Sequence, residues 1–534
     1  MRCPNRNLSP VLIVLWWTAC STGSTAAHDS GVDATVVEDA APARDAGHDD
    51  SDGGLLPDAS FEDAEVVEPD DVGAQLPISY VLADLAGPKI FVSPSGSDST
   101  GDGSEALPYG TLQHAIDQAS DGYNIVLRGG TYPIAQRRIV HVNKGVTIIA
   151  YPHEIPVFDG AIPAPASLEV EGNLRHFPYQ PIPANTGSGL TLYSLPAATF
   201  SGDTPTGMAA TRGWRCVTGS STYVKAGTPS ACPSGSSPRV INAYYPDQVW
   251  VNGARLLQVA DKALVVPGTF YVPRDSSTDR DPGPGTLYLH EDDAVHPSQI
   301  RVSYSGGTIA NLDAQGFNTQ GDFLRLNHEG ITIEGIRIIG HSPAWDSYAI
   351  RLMRDNASLN HVEILSNAAQ AVSIQESSNI TLNHVSLMDS GWMGLGGAKD
   401  DLSLIKVRVA NTNAQREFNK GPRAGGVKLS KAHNTRVEDC EFLDNYGYAL
   451  WFDQSCYGAV VAGTKFINNQ GASLFYEISH DLTAVNNLMI AGPETDFNLR
   501  LAASSGLKIV NNTIIGGDLA AASVTADGRT DTRP

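Results

Sequence analysis

The chain has 534 residues, 41% of them apolar, which is enough to bury a large core, and no segment is long and apolar enough to be a membrane helix. Its formal charge of −22 argues against the basic footprint that a phosphate backbone requires, so nucleic acid is not expected as a partner. The charge is unevenly placed. Between Cys20 and Pro77, fifteen acidic residues face Arg44 alone, so this stretch carries −14 of the total.

In chain order, Arg2 and Arg6 form a basic start, Val11 to Trp17 a short apolar run, and Thr18-Ala19-Cys20 a small-residue junction. This is the layout of an export signal over residues 1–19, too short to span a bilayer. The junction resembles the lipobox of bacterial lipoproteins. That resemblance implies acylation of Cys20 and a place in the cell envelope, at the outer membrane or cell surface, with plain secretion as the alternative. Residues 20–77, built of Asp, Ala, Gly, Ser, Pro and Val, cannot bury enough surface to offset chain entropy. An extended, self-repelling tether is expected there, with an acidic solubilising tail as the plainer reading. Membrane contact is expected through the lipid alone.

Residues 88–160 carry three recognisable pieces: Ile90-Phe91-Val92-Ser93-Pro94-Ser95-Gly96-Ser97-Asp98, Pro108-Tyr109-Gly110-Thr111-Leu112-Gln113-His114-Ala115-Ile116, and Asn124-Ile125-Val126-Leu127-Arg128-Gly129-Gly130-Thr131-Tyr132. Leu112, Ala115, Ile116 and Ala119 share one helical face, which suits a lid over the open end of a solenoid. Together the pieces resemble the opening strand, capping helix and first coil of pectin-lyase-like proteins. The resemblance implies an all-β, right-handed parallel β-helix with a short N-terminal capping helix. Between residues 161 and 308 the coil signal lapses. Gln248 to Gly253 and Gly285 to Leu289 read as strands of a β-rich insertion.

Residues 309–534 read as the main coils. Apolar anchors at Ile333, Leu359, Leu382, Leu404, Val437, Val461, Val485 and Val510 are spaced by 26, 23, 22, 33, 24, 24 and 25 residues. Such a period, with apolar alternation and Asn-rich turns, means one coil of short strands per repeat, stacked to bury a continuous core. Asn468-Asn469, Asn486-Asn487 and Asn511-Asn512 fall at recurring turns, where Asn tolerates left-handed backbone and bonds to the next rung. The sequence runs on only briefly past Val510, which reads as a shortened relative of longer solenoids. Cys216 with Cys232, and Cys440 with Cys456, each enclose a short loop and are read as two local disulfides of an oxidising compartment. In the plainer reading Cys440 is a small buried apolar residue and Cys456 a turn residue.

Two coils align without gaps: Ala449-Leu450-Trp451-Phe452-Asp453 over Ser473-Leu474-Phe475-Tyr476-Glu477. With Leu450, Phe452, Leu474 and Tyr476 inward, strand alternation turns Trp451, Asp453, Phe475 and Glu477 outward. The two acids then stand roughly 5 to 6 Å apart, the spacing of a retaining glycosidase. These stretches also resemble the paired carboxylate motifs of the β-xylosidase family built on a right-handed β-helix, which implies Asp453 as nucleophile and Glu477 as acid/base. Extending the position to other coils, with slips of one or two, gives a polar row of Arg351, Gln375, Gly396, Lys428, Asp453, Glu477 and Arg500. Trp392, Trp451 and Phe475 are expected exposed beside it as sugar platforms, and Gly391, Gly394, Gly396 and Gly397 as room for substrate.

The substrate expected is a poly- or oligosaccharide, and the protein a monomer with no cofactor. Three readings stand open: a glycoside hydrolase, a polysaccharide lyase and a glycan binder without chemistry. Lys428, in Gly426-Val427-Lys428-Leu429, resembles the base of a calcium-dependent pectate lyase family, which implies Ca2+ as cofactor in that case. The comparable turn, Asp444 to Tyr448, holds one carboxylate, so Asp453, Glu477 and Asp481 are the alternative calcium ligands. His341, His433 and His480 read as ordinary surface residues, and Arg416 to Arg423 as a basic loop beside the cleft.

Overall fold

The computed structural model describes residues 71–526 except 135–138, 180, 182–213, 219–221, 226–236, 241–246, 260, 274–284, 304–321, 343–346 and 415–423, together with Arg529. The export signal, Cys20, the tether up to residue 70 and the basic loop from Arg416 to Arg423 lie outside the described residues. Among the described residues no helix is long and apolar enough to cross a membrane.

One coil shows how the rest is made. Tyr448–Asp453 runs along a first sheet, a turn at 454–456 leads to Tyr457–Ala462 in a second, and a two-residue turn leads to Lys465–Ile467 in a third. The chain then returns to the first sheet as Ala472–Glu477, one rung further on. Repetition gives three parallel sheets of ten, eleven and ten strands. Side chains alternate, so Leu450 and Phe452 lie over Leu474 and Tyr476, all fully buried inside the coil. Phe442 and Phe466 stack inside the third sheet with centroids 5.0 Å apart and planes within 8°.

The turns follow from residues that accept left-handed backbone. Asn468, Asn486 and Asn511 have φ of 53°, 56° and 52°. At Gly463, φ is 61° and an added Cβ would lie 2.3 Å from Asp439 Oδ1, so the close approach of coils needs glycine there. The second Asn of each pair turns inward. Asn445 Nδ2 donates to Asn469 Oδ1 at 2.9 Å, and Asn469 Nδ2 to the Phe442 carbonyl; Asn487 Nδ2 donates likewise to Asn512 Oδ1 at 2.8 Å. These ladders satisfy buried backbone groups where the coil turns and the regular strand bonds stop.

At the other end, helix Leu112–Gln118 lays Leu112, Ala115 and Ile116 on the same core. The Thr111 side chain caps it by accepting from the His114 N–H. The packed chain begins earlier than Pro77, the expected end of the tether. Gly73 N donates to the Lys406 carbonyl and Ala74 N to Ser386 Oγ, while Ile78 packs with Phe91, Val126, Ile149 and Ala150. Leu76, Ile78 and Tyr80 supply the apolar surface that the acidic stretch lacks.

The insertion has its own core, with Phe177, Tyr179, Val249, Phe270, Leu287 and Leu289 among its buried members. It meets the solenoid at turns that lead from the third sheet to the first. Gln248 Nε2 donates to Ser342 Oγ at 2.8 Å, and Arg255 Nη2 lies 3.4 Å from Asp389 Oδ1.

Two expectations fail. The anchor after Val461 is Ala484, not Val485, because Leu482 and Ala484 are the inward pair and Val485 lies over Ala462. Ile509 therefore takes the place expected of Val510, which is 48% exposed. Cys440 and Cys456 are free thiols, both buried. Cys440 stacks under Thr464, whose Oγ1 accepts from Cys440 N, and the whole of strand Tyr457–Ala462 separates Thr464 from Cys456. That puts the thiols on opposite edges of the second sheet, roughly 20 Å apart, far beyond disulfide reach. Burial pushes the Cys440 thiol up to about 12 and the Cys456 thiol up to about 11. Cys232 lies outside the described residues.

Alkylation without reductant should therefore label Cys440 and Cys456 only after denaturation, each as a separate peptide; a linked peptide in a non-reduced digest would contradict the two columns. Asn469→Ala should lower stability by about 1 to 3 kcal/mol for each buried group it orphans, read from the urea midpoint.

Candidate functional site

The outward face of the first sheet carries the residues singled out from sequence. Asp453 pairs in register with Glu477, so the two acids occupy one row on adjacent rungs, about 5 Å apart at Cβ. The row continues back through Ser430 and forward through Ala502. A second row, two residues earlier along each strand, runs Arg325, Arg351, Ser373, Gly396, Lys428, Trp451, Phe475, Arg500. The single row expected from sequence is therefore two. Arg351, Gly396, Lys428 and Arg500 line up with the aromatic residues, not with the acids. Gln375, just past strand Gln370–Ile374, continues toward the acid row but lies about 14 Å, three rungs, before Asp453.

Lys428 Nζ sits 2.9 Å from Asp453 Oδ2 and 3.6 Å from the Trp451 ring centroid, bridging the two rows. Glu477 is only 8% exposed. Its Oε2 accepts from Trp451 Nε1 at 3.1 Å, and its Oε1 is paired with the Arg529 guanidinium. Arg500 lies over the Phe475 ring at 4.6 Å and donates from Nη1 to the Tyr448 hydroxyl at 3.1 Å.

The aromatic residues are not exposed. Trp392, Trp451 and Phe475 are 2%, 8% and 2% exposed. Trp451 and Phe475 stack at 5.2 Å, and Tyr448 meets Trp451 edge-on at 4.9 Å. With Ala472, Ala502 and Phe497 they form a small apolar cluster outside the coil. Sequence alternation gives the direction of these side chains but not that stacked neighbours would cover one another. A shallow depression remains among Met393, Ala424, Gly425, Lys428, Tyr448 and Trp451.

Other candidates are not brought together. Arg351 and Arg325 share the buried Asp322, at 2.8 and 2.9 Å, four and five rungs from Trp451. Gly391 and Gly397 abut the Ala368 and Ile374 carbonyls, where a Cβ would come within 2.0 and 1.9 Å, so they let coils approach and make no room for substrate. Asp481 is in His480–Val485 of the second sheet, away from the acid row. Among the described residues no group of three or more His, Cys, Asp or Glu side chains is placed to hold a metal ion. His433 is not solitary: it lies 2.5 Å from Asp400 and stacks on Tyr457, which stacks on His480.

Tyr448 and Arg529 are the site residues that sequence reasoning missed. Tyr448 shares the parity of the inward Leu450, so alternation alone would place it inside, yet it packs with Trp451 and Phe475; Arg529 follows the last strand and carries no periodic signal. Burial raises the Tyr448 phenol above its usual range, against the opposing pull of Arg500.

Trp451→Phe should keep the stack and remove only the indole N–H that Glu477 accepts, lowering stability by about 1.5 to 3 kcal/mol in chemical denaturation. An unchanged midpoint would mean that this bond is not made.

Residues 348–514 match the family model described as "Right handed beta helix region". No curated protein matches the chain by sequence. Among solved structures, the complex of XylC with xylose aligns over 80% of this chain and 71% of its own at 14% identity, with a TM-score of 0.53. A GH136 lacto-N-biosidase from Eubacterium ramulus aligns over 84% and 68% at 9% identity (TM-score 0.36), and pectate lyase Pel9A over 83% and 79% at 9% identity (TM-score 0.31). The stacked coils and the family match together establish a right-handed parallel β-helix.

Proposed function

We propose that the protein is an extracytoplasmic, carbohydrate-active β-helix protein that cleaves glycosidic bonds of a poly- or oligosaccharide by a retaining two-carboxylate mechanism. The supporting observation is the pairing of Asp453 with Glu477 on adjacent rungs of one outward row. Their Cβ atoms stand about 5 Å apart, a placement that suits the close carboxyl pair of a retaining enzyme. A solved β-helix structure that holds xylose and aligns over most of this chain is consistent with a sugar on this scaffold.

In this mechanism Asp453 attacks the anomeric carbon while Glu477 gives a proton to the departing glycosidic oxygen, leaving a glycosyl ester on Asp453. Glu477 then takes a proton from water, which attacks the same carbon and releases the sugar with its configuration kept. Lys428 orients the attacking carboxylate from 2.9 Å and Trp451 Nε1 fixes the plane of Glu477, whose Oε1 takes the catalytic proton once substrate displaces the Arg529 guanidinium. Trp451 and Phe475, covered by Lys428 and Arg500, brace those cations beneath the sugar and do not themselves meet it.

The test is a glycan panel with the wild-type protein and two variants. Asp453→Asn and Glu477→Gln should each lower turnover by about 10²- to 10⁴-fold while retaining ligand affinity. Products absorbing through a new C4–C5 double bond, formed only when calcium is present, would replace this reading with a lyase. Binding that is equal in wild type and variants, with no product from any glycan, would leave a binder without chemistry.

A further inference from the structure

Along the outward rows of the first sheet stand Arg325, Arg351, Lys428 and Arg500, with Arg529 beyond the last strand. Four are matched by carboxylates, Arg325 and Arg351 by Asp322, Lys428 by Asp453 and Arg529 by Glu477. Arg500 is different. Among the described residues it forms no ion pair, and its one hydrogen bond goes to a neutral hydroxyl, that of Tyr448. In a chain of net charge −22, a guanidinium that makes no ion pair, although Asp496 and Glu477 are near enough to act on the Tyr448 hydroxyl it bonds, is a local exception.

Its plane is also held. The guanidinium carbon lies 4.6 Å from the Phe475 centroid and 5.4 Å from that of Phe497, so two rings contact it while Nη1 is tied to Tyr448. Of its five N–H donors, that bond uses one; the planar fork matches the two oxygens of a carboxylate. Arg500 pairs in register with Phe475, one rung past Glu477 and two residues earlier along the strand. Diagonal neighbours of this kind are about 7 to 8 Å apart, within the reach of a single sugar unit held at the acid pair. The Tyr448 hydroxyl, kept neutral by burial, accepts from Arg500 and still has its own proton to give.

We propose that Arg500, braced by Tyr448, Phe475 and Phe497, is a subsite for the carboxylate of an acidic sugar, so that the glycan bound here bears a uronate-type unit beside the bond at Asp453 and Glu477. The placement beside a scissile bond rests on the two-carboxylate reading; the recognition of a carboxylate does not.

The experiment measures binding without turnover. The full-length Asp453→Asn protein is titrated calorimetrically with uronate-bearing trisaccharides, with each one's carboxyl-reduced neutral counterpart, and with an O-sulfated neutral trisaccharide. At least one uronate should bind about tenfold or more tightly than its reduced partner. Arg500→Gln, introduced into that background, should erase the difference and leave affinity for the neutral sugar within about twofold, and Arg500→Lys should restore part of it. A urea midpoint for Arg500→Gln close to that of its parent excludes loss of fold as the cause. Equal binding of acid and neutral partners, no binding by any uronate, preference for the sulfated sugar, or a loss in Arg500→Gln that is the same for both partners each overturns the proposal. Uronate preference in a protein that cleaves nothing would leave this subsite standing and remove the hydrolase; cleavage of neutral glycans unaffected by Arg500→Gln would do the reverse.

Discussion

Everything in this protein depends on one constraint, the in-register parallel stacking of successive coils about 4.8 Å apart. Backbone hydrogen bonds between rungs impose the spacing, but they do not choose the register. Register is chosen by side chains that have one acceptable place: Leu450 and Phe452 over Leu474 and Tyr476 inside, Asn445 over Asn469 at the turn, and a glycine where an added Cβ would strike the coil below. A slip of one residue would expose the first set and leave the amides of the second buried without partners.

Because the inside is fixed, the outside inherits straight rows whether or not they serve a purpose. The third sheet shows what a structural row looks like: Arg408, Glu441 and Lys465 alternate in sign on consecutive rungs, with Glu441 bonded to both cations. The row with Asp453 and Glu477 breaks that pattern. Two like charges are adjacent, and their cations approach from the side, Lys428 from the neighbouring row and Arg529 from beyond the last strand. Like charges on neighbouring rungs cost stability, and a row maintained for stability alone would place a cation between them.

What could be read from the sequence divides along the same line. Inward positions obey a strict period of two, so the coils, the capping helix and the pairing of Asp453 with Glu477 were all legible. The slip at Val485 arose because Ala484, small and weakly apolar, is the true inward residue and a larger neighbour drew the eye. The merging of two outward rows arose because outside residues carry no hydrophobic signal to correct a shift of two. Sequence proximity also misled at Cys440 and Cys456, since sixteen residues of a solenoid span most of a coil and end at another edge. Exposure was the hardest property to infer: Trp451 and Phe475 point out of the coil but are buried by each other, by Tyr448 and by the cations above them.

That last feature ties the site together. The cluster of Trp451, Phe475, Tyr448 and Phe497 acts as a second, external core that holds Glu477, Lys428 and Arg500. The indole edge of Trp451 fixes Glu477, its face carries the Lys428 ammonium that reaches Asp453, and Phe475 carries Arg500. Aromatic side chains have few rotatable bonds, so groups braced on them lose little entropy when a ligand arrives. On this solenoid face a stack of rings on adjacent rungs immobilises the functional groups, with a spacing set by the backbone bonds underneath.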